Sequence, residues 1–348
     1  MSKKRIERVQ NRLKEENVDW LYIDDPTDLF YLTGKEVSTG KLFLSPKEAF
    51  FFIDGRYFEE CQEIDFLSLH LLSTLPELLP LQGKTIGFGA QNTLYSTFQE
   101  LKEKGAELIP VDPLLQNIRQ IKEPEEQDLL RESAALGSSG YDYLLSILEE
   151  GITEKEVARK LEIFWLESGG EGLAFSPIVS FGADTSKPHY HPQEKPLQKA
   201  GLILLDIGVV LNHYHSDMTR VVTLGTPTNE MEKVYEIVRE AQRKALALCC
   251  PGTPIQNLEK AVRSWIERNG YGEYFPHSLG HGIGLKTHES PFFRKSDLLL
   301  EEGMVITIEP GIYLPKVGGV RLEDTVLITK TGYENLTNRP IPPSLLCL

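Results

Sequence analysis

The chain has 348 residues, 41% of them hydrophobic, and a formal net charge of −14. That is apolar material for a large core and, at roughly 100–200 residues per domain, for two domains; it leaves no general basic field to draw in nucleic acid or anionic lipid. The first ten residues are highly charged, and no apolar run approaches the ~20 residues of a membrane helix. A cytoplasmic protein with no nucleic-acid or membrane partner is therefore expected. The four cysteines, Cys61, Cys249, Cys250 and Cys347, are too few and too scattered for a disulfide framework, which fits a reducing compartment.

Residues 3–16 show helical spacing of Ile6, Val9 and Leu13 among charges, and Trp20-Leu21-Tyr22-Ile23 suits a short buried strand. Residues 41–44 and 49–53, joined by Ser45-Pro46-Lys47-Glu48, read as a hairpin. A helix near 94–104 and a strand at 107–110 complete a small α/β domain. Pro124, followed by two glutamates, marks a helix start and places a linker near 118–124. Helical patterns follow at about 125–149 and 153–168, then strands, then a second helical pair at about 228–249 and 254–269, then strands again. Two such rounds suggest an internal duplication of architecture.

Seven of the eight histidines lie between His189 and His288, within the part that follows the linker. Asp206 interrupts an apolar run from Leu202 to Leu211, and a lone buried carboxylate costs several kcal/mol unless it is paired. A hairpin turning at Leu211-Asn212 would set Asp206 directly opposite Asp217 on one face, a repulsive pair unless a cation lies between them. Downstream, a turn over Pro315-Lys316-Val317-Gly318 sets Glu309 opposite Glu323 in the same way. Between the hairpins runs His277-Ser278-Leu279-Gly280-His281-Gly282-Ile283-Gly284, whose glycines favour extended chain closely approached by other backbone. There His277 and His281 would share a face. A single Asp in a strand is ordinarily a satisfied structural residue, so the argument rests on two mirrored acidic hairpins around a histidine segment. Four carboxylates and one imidazole carry a formal charge of about −4, which two divalent ions neutralise, favouring a dinuclear centre with the ions ~3.5–4 Å apart. Oxygen-rich ligation suits Mn, Fe, Co or Zn.

The stretches Ser186-Lys187-Pro188-His189-Tyr190-His191-Pro192, Leu205-Asp206-Ile207-Gly208, Ser216-Asp217-Met218-Thr219-Arg220, His277 to Gly284, Thr287-His288-Glu289-Ser290-Pro291, Glu309-Pro310-Gly311-Ile312-Tyr313 and Gly319-Val320-Arg321-Leu322-Glu323-Asp324 carry a resemblance. In order and content they resemble the pita-bread metallopeptidases, in the branch of aminopeptidase P and Xaa-Pro dipeptidase (prolidase). The part before the linker, with Asp54-Gly55-Arg56-Tyr57, resembles the creatinase-type N-terminal domain. The resemblance implies an α+β fold: a creatinase-like domain over 1–120 and a pita-bread catalytic domain with internal pseudo-two-fold symmetry over 121–348. It further implies that Asp206 chelates one metal, that Asp217 and Glu323 bridge both, and that His281 and Glu309 complete the second. All five positions are filled, which disfavours the metal-free creatinase branch. Glu309 would handle the proton, His189 and His288 would position substrate and stabilise the intermediate, His277 would support substrate nearby, and Arg321 would anchor a carboxylate or orient Glu323. Two divalent ions per subunit follow, Mn first with Co, Zn or Fe as alternatives, in a homodimer acting on proline-containing peptides.

The activity expected first is Xaa-Pro aminopeptidase, removal of a residue preceding proline from a peptide's N-terminus; the alternative is a dipeptidase restricted to Xaa-Pro. An Xaa-Pro bond has no N–H and a trans preference of only about 0.5–1 kcal/mol, so a peptidase that grips a substrate N–H loses a contact there. Methionine aminopeptidase falls behind because of the N-terminal domain and the Pro188-His189 segment. A non-catalytic binding protein of the same fold would have no reason to bear four clustered carboxylates. Asp184 departs from the Asn usual in the family, His191, His213 and His215 read as non-catalytic neighbours, and Cys249-Cys250 as packing at a helix end. Arg56 is either a residue reaching an active site or one half of a surface ion pair.

Overall fold

The computed structural model describes residues 2–293 and 297–348, which divide into two compact units, one ending at Arg119 and the other beginning at Gln120. The first is a six-stranded mixed sheet in the order Ser68–Leu71, Ala49–Ile53, Gly40–Leu44, Trp20–Ile23, Thr85–Phe88, Glu107–Pro110. Its hairpin pairs Gly40 with Ile53 through Leu44 with Ala49, as the turn at 45–48 predicts. The first helix ends sooner than expected, spanning Ser2–Leu13. A further helix, Pro26–Thr33, was not anticipated; it is started by Asp25, whose side chain accepts the Asp28 N–H, with Pro26 opening the first turn. Arg56 is exposed and pairs with Asp54 at 2.8 Å.

The second unit begins at a capping box in which Glu123 and Glu126 exchange side-chain and backbone hydrogen bonds. The helices Pro124–Ile147 and Glu154–Glu167 pack through Leu144, Val157, Leu161 and Trp165 onto Ile203, Leu205 and Ile207. The second pair, Asn229–Leu246 and Ile255–Arg268, buries Val234, Val238, Leu258 and Val262 against Ile306, Ile308, Val326 and Ile328, and also against Leu202 and Leu204. Strand Gly201–Ile207 is thus covered on both faces, which explains its apolar run from Leu202 to Leu205. Cys249 is buried in this second core, where burial pushes its thiol up to about 12 and leaves it inert as a nucleophile.

Two sheets carry the site. One has the order Leu346–Cys347, Met218–Leu224, Gly201–Ile207, Ile178–Phe181; the other Glu289–Phe292, His281–Gly282, Val305–Ile308, Asp324–Ile328, Tyr333–Asn335. An antiparallel bridge between Thr219 and Glu323 joins the halves. In the first half the predicted register needs correction: Asp206 lies opposite Thr219, not Asp217. The turn residues are Asn212 and His213, both with positive φ (50° and 68°), one position later than predicted. Two consecutive left-handed residues make the two-residue hairpin turn that matches strand twist, and Asn accepts that conformation readily. The slip moves every partner by two, so Asp206 and Asp217 keep one face as diagonal neighbours. In the second half the predicted register holds: Ile308 pairs with Asp324 and Gly311 with Arg321, bracketing Glu309 and Glu323, around a loop with Lys316 at φ 68°.

Candidate metal centre and its cavity

Asp206 is the penultimate residue of strand Gly201–Ile207, Asp217 immediately precedes strand Met218–Leu224, and Glu323 lies between Gly318–Arg321 and Asp324–Ile328. His281 opens the short strand that pairs on both sides. Glycine is required next to it: a side chain at Gly280 would run into the Thr307 carbonyl, and one at Gly282 into that of Ser290. The preceding segment is clamped by helix Ile255–Arg268. Arg263 donates to the carbonyls of Phe275 and His277, and Glu259 accepts the Leu279 N–H at 2.7 Å.

Asp217, His281 and Glu323 offer ligand atoms that all lie within 4.8 Å of one another. Glu309 Oε1 stands 3.6 Å and Asp217 Oδ2 3.7 Å from His281 Nε2, too far for hydrogen bonds. His281 Nδ1 lies 3.1 Å from the Gly282 carbonyl, which only the Nδ1–H tautomer can satisfy, so the Nε2 lone pair faces the carboxylates. Among the described residues, Asp206 Oδ1 and Asp217 Oδ1 are buried without a hydrogen-bond partner. Buried anionic oxygens without donors beside an imidazole lone pair are a donor set fitted to hard-to-borderline divalent cations.

Electrostatics agrees with the geometry. Burial, then the neighbouring carboxylates, pushes Asp217 and Glu309 well above the usual range, and burial with the Asp206 charge brings Glu323 up to about 8. Burial lowers His281 to about 3 and His277 to about 4, so both imidazoles are neutral, the form a ligand needs. Without cations, this site holds protons in their place.

A hydrogen-bonded chain ties the carboxylates together. Arg321, buried, donates through NH2 to Asp206 Oδ2 at 2.5 Å, through Nε to Thr219 Oγ1 at 3.1 Å and through NH1 to Tyr313 Oη at 2.7 Å. Thr219 passes its own proton to Glu323 Oε2 at 2.7 Å. Since guanidinium only donates, Tyr313 accepts from it and gives its proton to His277 Nε2 at 2.8 Å, leaving His277 Nδ1–H for the Ser278 carbonyl at 2.9 Å. Arg321 and His277 both line the cavity and both are bonded to protein groups; of the two roles expected for Arg321, these bonds match the orienting one. Tyr313 and Thr219 were missed, although both lie inside the quoted motifs; Thr219's place opposite Asp206 emerges only with the corrected register.

The centre lies at one side of a cavity of about 430 Å³ within the second unit. Phe175, Ile178, Phe292 and Phe293 give it apolar walls, and His189, His191 and His288 face into it. His288 lies beside His281 with ring centroids 4.1 Å apart and the rings tilted by 43°. Of the extra histidines, His191 does line the cavity, whereas His213 sits in the hairpin turn and His215 in the following strand. Asp184 is consumed by Lys187 and Lys195, at 2.6 and 2.5 Å.

Comparison with known proteins places this arrangement. Residues 5–121 match the creatinase/prolidase N-terminal domain, and residues 128–330 match metallopeptidase family M24. An Xaa-Pro dipeptidase of Pyrococcus furiosus is 35% identical over 340 residues, spanning 96% of this chain and 98% of the relative. The solved structure of an Xaa-Pro dipeptidase from Bacillus anthracis superposes with a TM-score of 0.94 at 32% identity, covering all of both chains. That of an X-Pro aminopeptidase from Thermotoga maritima reaches 0.87 at 29% identity, covering 99% of each. The chain belongs to metallopeptidase family M24, built as a pita-bread catalytic domain behind a creatinase-type N-terminal domain.

Proposed function

We propose that this protein is an Xaa-Pro dipeptidase that uses two divalent ions held by Asp206, Asp217, His281, Glu309 and Glu323. The observation that carries the reading is the pair of buried, donorless carboxylate oxygens beside the His281 lone pair, at the wall of a cavity of dipeptide size. Bound divalent ions would supply a water nucleophile at neutral pH and positive charge for the developing oxyanion. The chain's own part is positional. Glu309, which lines the cavity beside His281, takes a proton from the nucleophile and returns it to the proline nitrogen as that nitrogen leaves. His189 and His288 face the substrate carbonyl as hydrogen-bond donors. Aromatic side chains around them exclude water and accept the pyrrolidine ring.

The sequence alone favoured aminopeptidase activity; the dipeptidase names of the similar proteins reverse that order. One observation supports the aminopeptidase as second reading: among the described residues lining the cavity, Arg321 is the one guanidinium, there is no ammonium, and Arg321 is already bonded to Asp206, Thr219 and Tyr313, so none of these residues offers an unengaged cation to a dipeptide's carboxylate. Hydrolysis of Gly-Pro against Gly-Pro-Ala with added Mn, Co or Zn decides between them. A kcat/KM at least about tenfold higher for Gly-Pro is expected, since a site built for a dipeptide does not leave room beyond it; the reverse ratio establishes the aminopeptidase, and no cleavage of either removes both. The proposal extends to Mn as native metal and to a cytoplasmic homodimer; no helix among the described residues is long and apolar enough to cross a membrane.

Arg321→Lys tests the orienting chain. Lys keeps the charge but not the three-way fork, and loss of a group that orients metal ligands typically costs about 10–100-fold in activity or metal affinity. Steady-state kinetics with metal analysis should find that loss; a change under twofold would remove Arg321 from the mechanism.

A further inference from the structure

His189 faces the cavity, yet among the described residues nothing is hydrogen-bonded to its ring, and residues 187–200 around it form no helix or extended strand. Its place is therefore set by its backbone. That backbone is tied to one side chain. Glu154, at the first position of helix Glu154–Glu167 and 0% exposed, accepts the Phe181 N–H at 2.8 Å on Oε1, and the Tyr190 hydroxyl and Gln193 N–H, both at 2.9 Å, on Oε2. Phe181 leads into the turn Gly182–Ser186, Tyr190 directly follows His189, and Gln193 lies four positions beyond it. The backbone around the carboxylate is stapled too, Glu154 N–H to the Lys195 carbonyl and Lys155 N–H to that of Gln193. The nearby ammonium of Lys195 is spent on Asp184 and the Phe181 carbonyl. A buried carboxylate serving three donors from two ends of one loop, with no cation among the described residues bonded to it, is costly to keep for helix stability alone.

We propose that Glu154 is a positioning residue that holds the 187–193 segment so that His189 stays aimed into the cavity. The inference rests on the proposed reading of His189 as a substrate contact. A carboxylate has two acceptor oxygens where an amide has one, so Glu154→Gln must turn its NH₂ group toward either the Phe181 or the Gln193 N–H while leaving side-chain volume unchanged.

A double-mutant cycle with His189→Ala tests this, read as kcat/KM and as hydrogen exchange at the Gln193 amide. Glu154→Gln should lower kcat/KM about 10–100-fold, the scale of an ångström-sized misplacement, and should speed Gln193 exchange. In the His189→Ala background it should cost under about twofold, because the residue it positions is gone. An equal loss in both backgrounds overturns the proposal, as does wild-type kinetics for Glu154→Gln beside an impaired His189→Ala, an outcome that leaves the His189 reading intact. Normal turnover of His189→Ala itself overturns the His189 reading and this inference with it. Should Glu154→Gln fail to fold, Tyr190→Phe enters the same cycle; it removes one hydrogen bond and should cost about 2–10-fold, again vanishing without His189.

Discussion

Replacing Glu323 by Ala is expected to lower kcat/KM by at least about a thousandfold, since several kcal/mol of transition-state charge stabilisation depend on intact metal ligation and each 1.36 kcal/mol is tenfold in rate. Asp217→Ala should behave alike, because both side chains converge with His281 on one point. Stability should move in the opposite direction. Each substitution removes one member of a buried like-charged cluster, so the metal-free variants should melt no lower than the metal-free parent, while the rise in Tm on adding Mn shrinks or disappears. Kinetics at saturating metal with parallel melting curves checks both halves. Turnover within tenfold of the parent would sink the ligand assignment.

Removal of metal should also reverse the pH dependence of stability. In the metal-free protein Asp217 and Glu309 are raised, and Glu323 reaches about 8, chiefly by burial. Unfolding returns these groups to the ordinary carboxylate range, near 4. Below about 6.5 the buried neutral His281 and His277 offset this, because the unfolded chain protonates them; above about 6.5 the folded protein binds more protons than the unfolded chain, so its stability falls as pH rises toward 8. Divalent ions take over from the protons and bind better as those leave, so the loaded protein should gain where the metal-free protein loses. Metal at about 100–1,000 times Kd adds roughly 3–4 kcal/mol, and for a cooperative unit the size of Gln120–Leu348 each kcal/mol moves Tm by roughly 2–4 °C. Melting curves at pH 6 and 8.5, with chelator and with Mn, read the effect directly. A metal-free protein that melts higher at pH 8.5, or a Tm indifferent to Mn, would refute it.

The hydrogen-bonded chain from His277 through Tyr313, Arg321 and Thr219 to Glu323 gives the centre its rigidity. It orients Asp206 and Glu323 from opposite halves of the second unit through one guanidinium. Four carboxylates that repel one another can stay close only if packing and fixed donors hold them, and each donor used here is supplied by a strand neighbour.

Much of this was legible in the linear sequence, for a definite reason. Strand side chains alternate, so Asp206 and Asp217 share a face under any turn that shifts partners by two, and Glu309 and Glu323 do so around the Pro315–Val317 loop. The spaced glycines around His281 announced close backbone contact because no side chain fits there. The helix starts at Pro124 and Thr153 were likewise readable, since capping is local chemistry. What only the tertiary structure decided is who meets whom across the two halves. That Arg321 serves Asp206, 115 positions away, that Thr219 bridges to Glu323, and that Glu154 holds the loop of His189 all depend on how sheets and helices pack. Local periodicity determines which way a side chain points, but the partner opposite it is chosen by burial, where an unpaired polar group is costly and the fold must bring its complement from wherever the chain supplies one.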